Sequence, residues 1–247
     1  MKKVLLSTVL LLTISIGVFA QKRLGDYIEI DGVPAFIFCI DEAGEHGLAM
    51  SIPAFGEKDT KKIDKMVKKG LLTTEQANIF KKNLIGQFNK QGAGGKTSEE
   101  LFAGLIGKLT DNGLTNQKQI LAYCDENGIS LQERFPLQYW AENLGEGWFI
   151  PGDQELVYFA NFYFGGLGRK HTLGAKYQFH AKDLCDNELI QKSLFVMVYY
   201  GLYSSTSYHA DAGFRKLRCE QVAMSKFWLE LFDTSVNSPL VCAIHTF

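Results

Sequence analysis

The chain has 247 residues, 26 basic and 27 acidic side chains for a formal net charge of −1, and is 46 % hydrophobic and 13 % aromatic. That is enough apolar material to fill a core of one domain with an insertion, or of one and a half domains. Without an excess of positive charge there is no field to gather nucleic acid or an anionic membrane surface.

The N-terminus reads MKKVLLSTVLLLTISIGVFAQKR. Lys2 and Lys3 precede a run of apolar and hydroxyl residues from Val4 to Val18, and Val18-Phe19-Ala20 suits a cleavage site. This pattern predicts a secretory signal peptide over 1–20 and an exported chain that begins at Gln21, destined for the periplasm, the cell surface or the medium. The run is short for a bilayer span of roughly 20 residues, and no later run is long enough, so no stable membrane span is expected after cleavage. No Cys follows Ala20, so a lipid anchor is not expected. Losing Lys2 and Lys3 leaves 24 basic against 27 acidic residues.

Residues 21–56 read as an N-terminal β meander. YIEI alternates, Asp31-Gly32 marks a turn, AFIFCI is a buried strand, GEHG marks a second turn and LAMSI is a third strand. Residues 57–110 change character and read as a helical insertion. Ile63, Met66 and Val67 share a helical face that ends near Gly70. Thr73 with Gln76 forms a capping box for a helix carrying Ala77, Phe80, Leu84 and Phe88, and Thr97 with Glu100 another for Leu101, Phe102, Leu105 and Leu109. The lysines between them read as a solvated face. NKQGAGGK breaks the two and lacks the full spacing of a phosphate loop.

Residues 111–247 are mixed. Helices are expected over 116–126, over FPLQYWAENLG at 135–145 with Pro at its first turn, and over QELVYFANFYF. GGLGRKHTLGAKYQ is a Gly-rich loop without the βαβ context of a dinucleotide site. Asn187 to Ser193 reads as a short helix, LFVMVYYGLYSSTSY as a strand or strand pair, and the remainder as short strands closing on LVCAIHTF. Between the helices lies GWFIPGDQEL at 147–156. There Gly147 permits close chain approach, Trp148 buries a ring with its indole N–H bonded to a carbonyl, Pro151 ends the extended run, and Asp153 and Glu155 enter a helix first turn. As a catalytic pair the two acids are weak, because i and i+2 on a helix point apart.

These landmarks, in this order, resemble the C-type-lectin-like domains of secreted bacterial proteins, a fold shared with formylglycine-generating-enzyme-type domains. They are the short helix FPLQYWAENLG, the corner GWFIP, the acidic helix start GDQEL, the strand YSSTSY at 203–208 and the ending PLVCAIHTF. Tyr203 and Ser207 depart from the usual Trp and Glu of the strand, and Cys242 and His245 from the usual Arg residues of the ending. The resemblance implies an α+β class, a C-type-lectin-like fold over 111–247 with the N-terminal β meander and helical insertion before it. It also implies a binding face in the loops before the last strands, which places Tyr208, His209, Asp211, Arg215 and Arg218 there as candidate ligand-binding residues. Trp148, Pro151, Ser204 and Ser205 are expected to be structural, the serines through cross-strand hydroxyl pairing.

The chemistry that the chain lacks narrows the function further. Its five histidines, His46, His171, His180, His209 and His245, show no metal-ligand spacing, and no nucleophile elbow surrounds Ser204 or Ser205. The Glu-Pro-Asn and Trp-Asn-Asp motifs of calcium-dependent sugar-binding relatives are absent. No metal, cofactor or catalytic residue is therefore expected. The five cysteines, Cys39, Cys124, Cys185, Cys219 and Cys242, are odd in number, so at least one is free or pairs between chains. Cys39 and Cys242 sit in apolar runs as small buried hydrophobes, and Cys219 pairs with Cys242 only if their strands are neighbours. The expectation is an exported, non-enzymatic binding or adhesion module for a saccharide or protein at the cell envelope. The alternatives are a copper- and thiol-dependent oxidoreductase of the formylglycine-generating type, using Cys219 and Cys242, and a structural cell-envelope protein.

Overall fold

The computed structural model describes residues 21–56, 60–82, 84–85, 102–164, 185–200, 204–209, 213–219, 227–232 and 240–247. The signal peptide over 1–20, Phe88, the capping box at Thr97 and Glu100, the Gly-rich loop from 165, His171, His180 and Asp211 lie outside them.

The meander forms as its alternation requires. Strands β1 (Tyr27–Ile30), β2 (Val33–Ile40) and β3 (Gly47–Ser51) pair antiparallel in sequence order. Asp31 and Gly32, at φ 52° and 78°, make the two-residue turn whose twist suits a hairpin. In the second turn, Asp41 accepts from the Glu45 N–H at 3.0 Å, and that bond holds its carboxyl below the usual carboxylate range. The C-terminal strand β11 (Ile244–Thr246) joins the far side of β3, and the two-residue β6 (Trp148–Phe149) pairs with β11, completing a five-stranded antiparallel sheet in the order β1-β2-β3-β11-β6. Buried Ser51 fastens this junction, its N–H donating to the Ala243 carbonyl at 2.9 Å and its hydroxyl accepting from the Ala243 N–H at 3.0 Å.

After β4 (Ala54–Gly56) come α1 (Thr60–Lys68) and α2 (Thr74–Lys82). The capping box is present in both directions: Thr73 N–H donates to Gln76 Oε1 at 3.0 Å, and Gln76 N–H to Thr73 Oγ1 at 3.2 Å. Gly70 closes α1 beside Leu71, whose N–H donates to the Met66 carbonyl at 2.9 Å. Ile63, Met66, Ala77 and Phe80 bury into the same core as the sheet, with Phe80 edge-on to Phe55 at 6.1 Å. The helix expected to carry Leu84 stops at Lys82 instead. Leu84 and Ile85 form β5, parallel to β4 in a small sheet of order β10-β4-β5, where β10 is Leu240–Val241. Phe102 is helical, and from Ala103 to Lys108 the chain makes consecutive turns where the helix was expected to continue. Its Phe102 and Leu105 join Ile120, Cys124 and Phe135 in a second, smaller core.

Helix α3 (Gly113–Asn127) starts at the N-cap Asn112, whose side chain accepts from Thr115 N–H at 2.9 Å. Short α4 (Leu131–Arg134) and α5 (Pro136–Glu142) follow, with Pro136 at the first turn as its missing N–H allows. Helix α6 (Asp153–Phe164) lays Phe159 and Phe162 on Phe36 and Phe38 of β2, at ring distances from 5.9 to 6.4 Å. Ala35 and Ile37, on the opposite parity of β2, are equally buried, so this strand is covered on both faces.

The apolar run 194–200 is helix, not the strand or strand pair its composition suggests. Helix α7 (Glu188–Tyr200) continues through it, with Asn187 accepting from Ile190 N–H at 3.2 Å at the start. A continuous apolar run cannot separate a buried helix from a buried strand by periodicity. Here a side-chain cap and the burial of Ile190, Leu194 and Met197 along one stripe favour the helix. Strands β7 (Ser204–His209), β8 (Gly213–Cys219) and β9 (Phe227–Phe232) then form a separate three-stranded antiparallel sheet, with α3 and α6 alongside β7 and α6 and α7 alongside β8. The described chain is thus an α+β protein with one main core.

Candidate functional site

Two places collect polar residues: the corner around 145–155, and the β7–β8–β9 sheet.

At the corner two backbones cross almost in contact. A β carbon on Gly113 would lie 2.5 Å from both Gly152 N and Ile150 O, and one on Gly152 would lie 2.7 Å from Gly113 N. Only glycine fits either strand of such a crossing. The close approach leaves two amides facing inward, and the Glu155 carboxylate takes both. Its Oε2 accepts from Gly113 N–H at 2.9 Å and Gly152 N–H at 2.7 Å, while Oε1 accepts from Asn112 Nδ2 at 3.1 Å. Next to it, Gln154 N–H donates to the Asp111 carbonyl at 2.8 Å. Glu155 is the third residue of α6 and reaches back to the residue before the helix, as in a capping box. Burial pushes its carboxyl above the usual carboxylate range, against the pull of the Gly113 and Gly152 amides. These bonds occupy Glu155 as a structural clasp between 111–113 and 150–155. Asp153 is buried in the same first turn, where the helix dipole favours an acid.

Trp148 is 1 % exposed and pairs across β11 with His245, ring centroids 5.2 Å apart at 62°. Gly147, at φ 84°, would place a β carbon 3.0 Å from His245 Nε2, which itself lies 3.0 Å from the Glu146 carbonyl oxygen. The expected bond from the indole N–H to a carbonyl is not formed: Nε1 is buried without a hydrogen-bond partner among the described residues. Packing rather than that bond holds the ring. Pro151 is buried at the same corner.

The candidate ligand-binding residues fall on one hairpin but not on one face. Tyr208 and His209 lie on β7, opposite Phe214 and Gly213 of β8. Arg215 and Arg218 lie on β8, opposite Leu231 and Trp228 of β9. Because strand faces alternate with period two, this register puts Tyr208 with Arg218 on one parity and His209 with Arg215 on the other. Ser204 stands opposite Lys216 rather than another hydroxyl residue, and Ser205 is its neighbour on β7. Lys216, Trp228 and Glu230 do not stand out in the sequence alone. The alternation in FRKLRC and FWLELF is the signal that could have placed them.

The thiols are placed for packing. Cys124, Cys185 and Cys242 are buried and free, and Cys39 is half-buried and free. Cys242 therefore does not pair with Cys219. Burial raises the thiols of Cys39, Cys124 and Cys242, and takes Cys185 to about 11 with help from nearby Asp186 and Asp26. All four are shifted away from the thiolate that nucleophilic or metal chemistry uses. Among the described residues no group of three or more His, Cys, Asp or Glu could hold a metal ion, and no helix is long and apolar enough to cross a membrane. No protein-family model, curated protein or solved structure matches the chain.

Proposed function

We propose that the protein is an exported, non-enzymatic binding module with a C-type-lectin-like fold, acting at the cell envelope on a saccharide or a protein. One observation carries this reading. The last strand, β11, lies inside the main sheet between β3 and β6, while the excursion between α7 and β10 builds a second sheet of its own. A frame closed by its terminal strand, with an appended sheet before that strand, is the arrangement in which the resemblance puts a binding face. The engagement of Glu155 in the backbone crossing and the raised thiols weigh in the same direction, because they bind the most conspicuous reactive groups into the frame.

Thermal unfolding of residues 21–247 tests the proposal when run alone, with chelator, with calcium, with copper, and with a panel of envelope and host saccharides. A ligand that prefers the native state raises the midpoint by mass action. A rise with a saccharide supports a saccharide ligand, and no rise with any addition leaves a protein ligand as the expectation. A rise with copper alone would overturn the proposal in favour of the thiol-dependent oxidoreductase.

A further inference from the structure

The chain is close to neutral as a whole, but its charge is unevenly placed. Residues 60–82 hold seven lysines against two acids, so the rest of the chain carries 19 basic against 25 acidic residues. Much of the excess lies on α1. Ile63 and Met66 seat the inner side of this helix in the main core, while Lys61, Lys65 and Lys68 are exposed. Exposed Lys69 extends the set by one position, its N–H donating to the Lys65 carbonyl at 3.1 Å. At 3.6 residues per turn the four lysines fall within about 100° of arc on the side away from Ile63 and Met66, and they run about 12 Å along the helix. The one acid of α1 is already taken, because Asp64 pairs with Lys81 of α2 at 2.6 Å. None of the four lysines has an ion pair among the described residues.

We propose that the lysine stripe of α1 binds a linear acidic polysaccharide; this rests on the reading of the chain as a binding module. Solvation is reason enough for lysines on an outer face, and the helix dipole favours Lys65 and Lys68 in the last turn. Neither favours Lys61, which stands in a first turn that has no acid and where the dipole opposes a cation. Lys65 has a like charge four residues before it and another four after, pairs that destabilise a helix. Residues that work against their own helix are expected where function needs them. The occupant follows from charge and shape. Lysine ammonium groups are point charges on flexible stems, and in a straight stripe they suit anions strung along one chain. A bilayer fits less well, because the apolar side that would sink into an anionic surface is already buried in the core. Nucleic acid carries about one charge per 1.7 Å, which the acidic remainder of this chain repels, and α1 has no aromatic side chain on which a base could stack. A protein partner fits less well, because lysine is depleted in interface cores. A glycan with an acid on every sugar or every second sugar has sparser charge, closer to the rise of about 6 Å between lysines four residues apart.

Native electrophoresis of residues 21–247 at low salt, through gels containing polygalacturonate, hyaluronate, dextran or double-stranded DNA, tests the stripe against a polymer-free gel. The expected result is retardation by an acidic glycan that fades as salt is added, with none by dextran and less by DNA. The double variant Lys61→Gln with Lys65→Gln should weaken binding about tenfold, the loss of two exposed ion pairs, without lowering the melting temperature. A second double variant, Lys108→Gln with Lys118→Gln, removes the same charge from exposed positions off the stripe and should bind as wild type does. Equal weakening in the two double variants overturns the stripe and leaves the binding-module reading standing. A lowered melting temperature in the stripe variant with binding retained makes these lysines structural and also overturns it. Equal retardation by dextran overturns the acidic ligand, and retardation by DNA as strong as by the glycans overturns the saccharide as occupant. If no polymer retards the protein, the stripe fails, and the unfolding series above decides the module reading by itself.

Discussion

Replacing Glu155 by Ala removes the acceptor for two buried backbone N–H groups, those of Gly113 and Gly152. A buried donor left unpaired costs about 1–3 kcal/mol, so the two together should cost about 4 kcal/mol. Glu155→Gln should cost much less, about 1 kcal/mol, because one amide oxygen can accept from both N–H groups and only the contact with Asn112 is lost. Urea unfolding at neutral pH, followed by circular dichroism, measures both. Acidification supplies a second readout. Burial raises the folded-state pKa of Glu155 above its ordinary 4.5, so the folded protein holds this proton more readily than the unfolded chain. The stabilisation from that raised pKa is fully present below the unfolded value and is lost as pH rises through the folded value. The margin of wild type over Glu155→Gln should therefore widen as pH falls from 7 toward 4. A loss below about 1 kcal/mol for Glu155→Ala would refute the clasp, and a margin that narrows on acidification would refute the dominance of burial over the two amides in setting its pKa.

The other predictions concern packing, capping and thiol access. Gly113→Ala pits two effects against each other: helix propensity favours alanine by about 1 kcal/mol, but the new β carbon would meet backbone atoms at 2.5 Å. Backbone cannot give way as a side chain can, so a net loss of at least about 2 kcal/mol is expected in urea unfolding. Trp148→Ala should cost about 3–5 kcal/mol, the range for a large core aromatic, whereas Trp148→Phe should cost less because it also removes a buried donor that has no partner among the described residues. Unchanged thermal stability of Trp148→Ala would count against the corner. Thr73→Ala should cost about 1 kcal/mol through the lost cap of α2, read as a lower melting temperature with native circular dichroism retained. In a timed thiol titration of native protein, half-buried Cys39 should react before Cys124, Cys185 and Cys242, which should become reactive only on unfolding.

Much of the frame is legible in the sequence because it is written in local chemistry. Alternation and the Asp31-Gly32 turn specify the meander; Thr73 with Gln76 and Pro136 specify helix starts; and the i to i+3 spacing of Ile63 and Met66 specifies the buried face of α1. Each of these signals acts over a few residues, so no fold is needed to read it. Leu84 and the run 194–200 were not legible in the same way. Leu84 keeps helical spacing but is claimed by β4, a strand almost thirty residues earlier, and the apolar run carries no period that separates helix from strand.

The site divides along the same line. From residue type and order the sequence suggests GWFIPGDQEL as a structural corner and Tyr208, His209, Asp211, Arg215 and Arg218 as candidate ligand-binding residues. Only tertiary structure decided that the Glu155 carboxylate closes on Gly113, that β11 enters the sheet between β3 and β6, and that the register parts Tyr208 and Arg218 from His209 and Arg215. The reason is physical. A buried amide without a partner and a strand edge without a neighbour are satisfied by whatever segment the whole chain brings past them, and in this protein those segments lie from about forty to about two hundred residues apart.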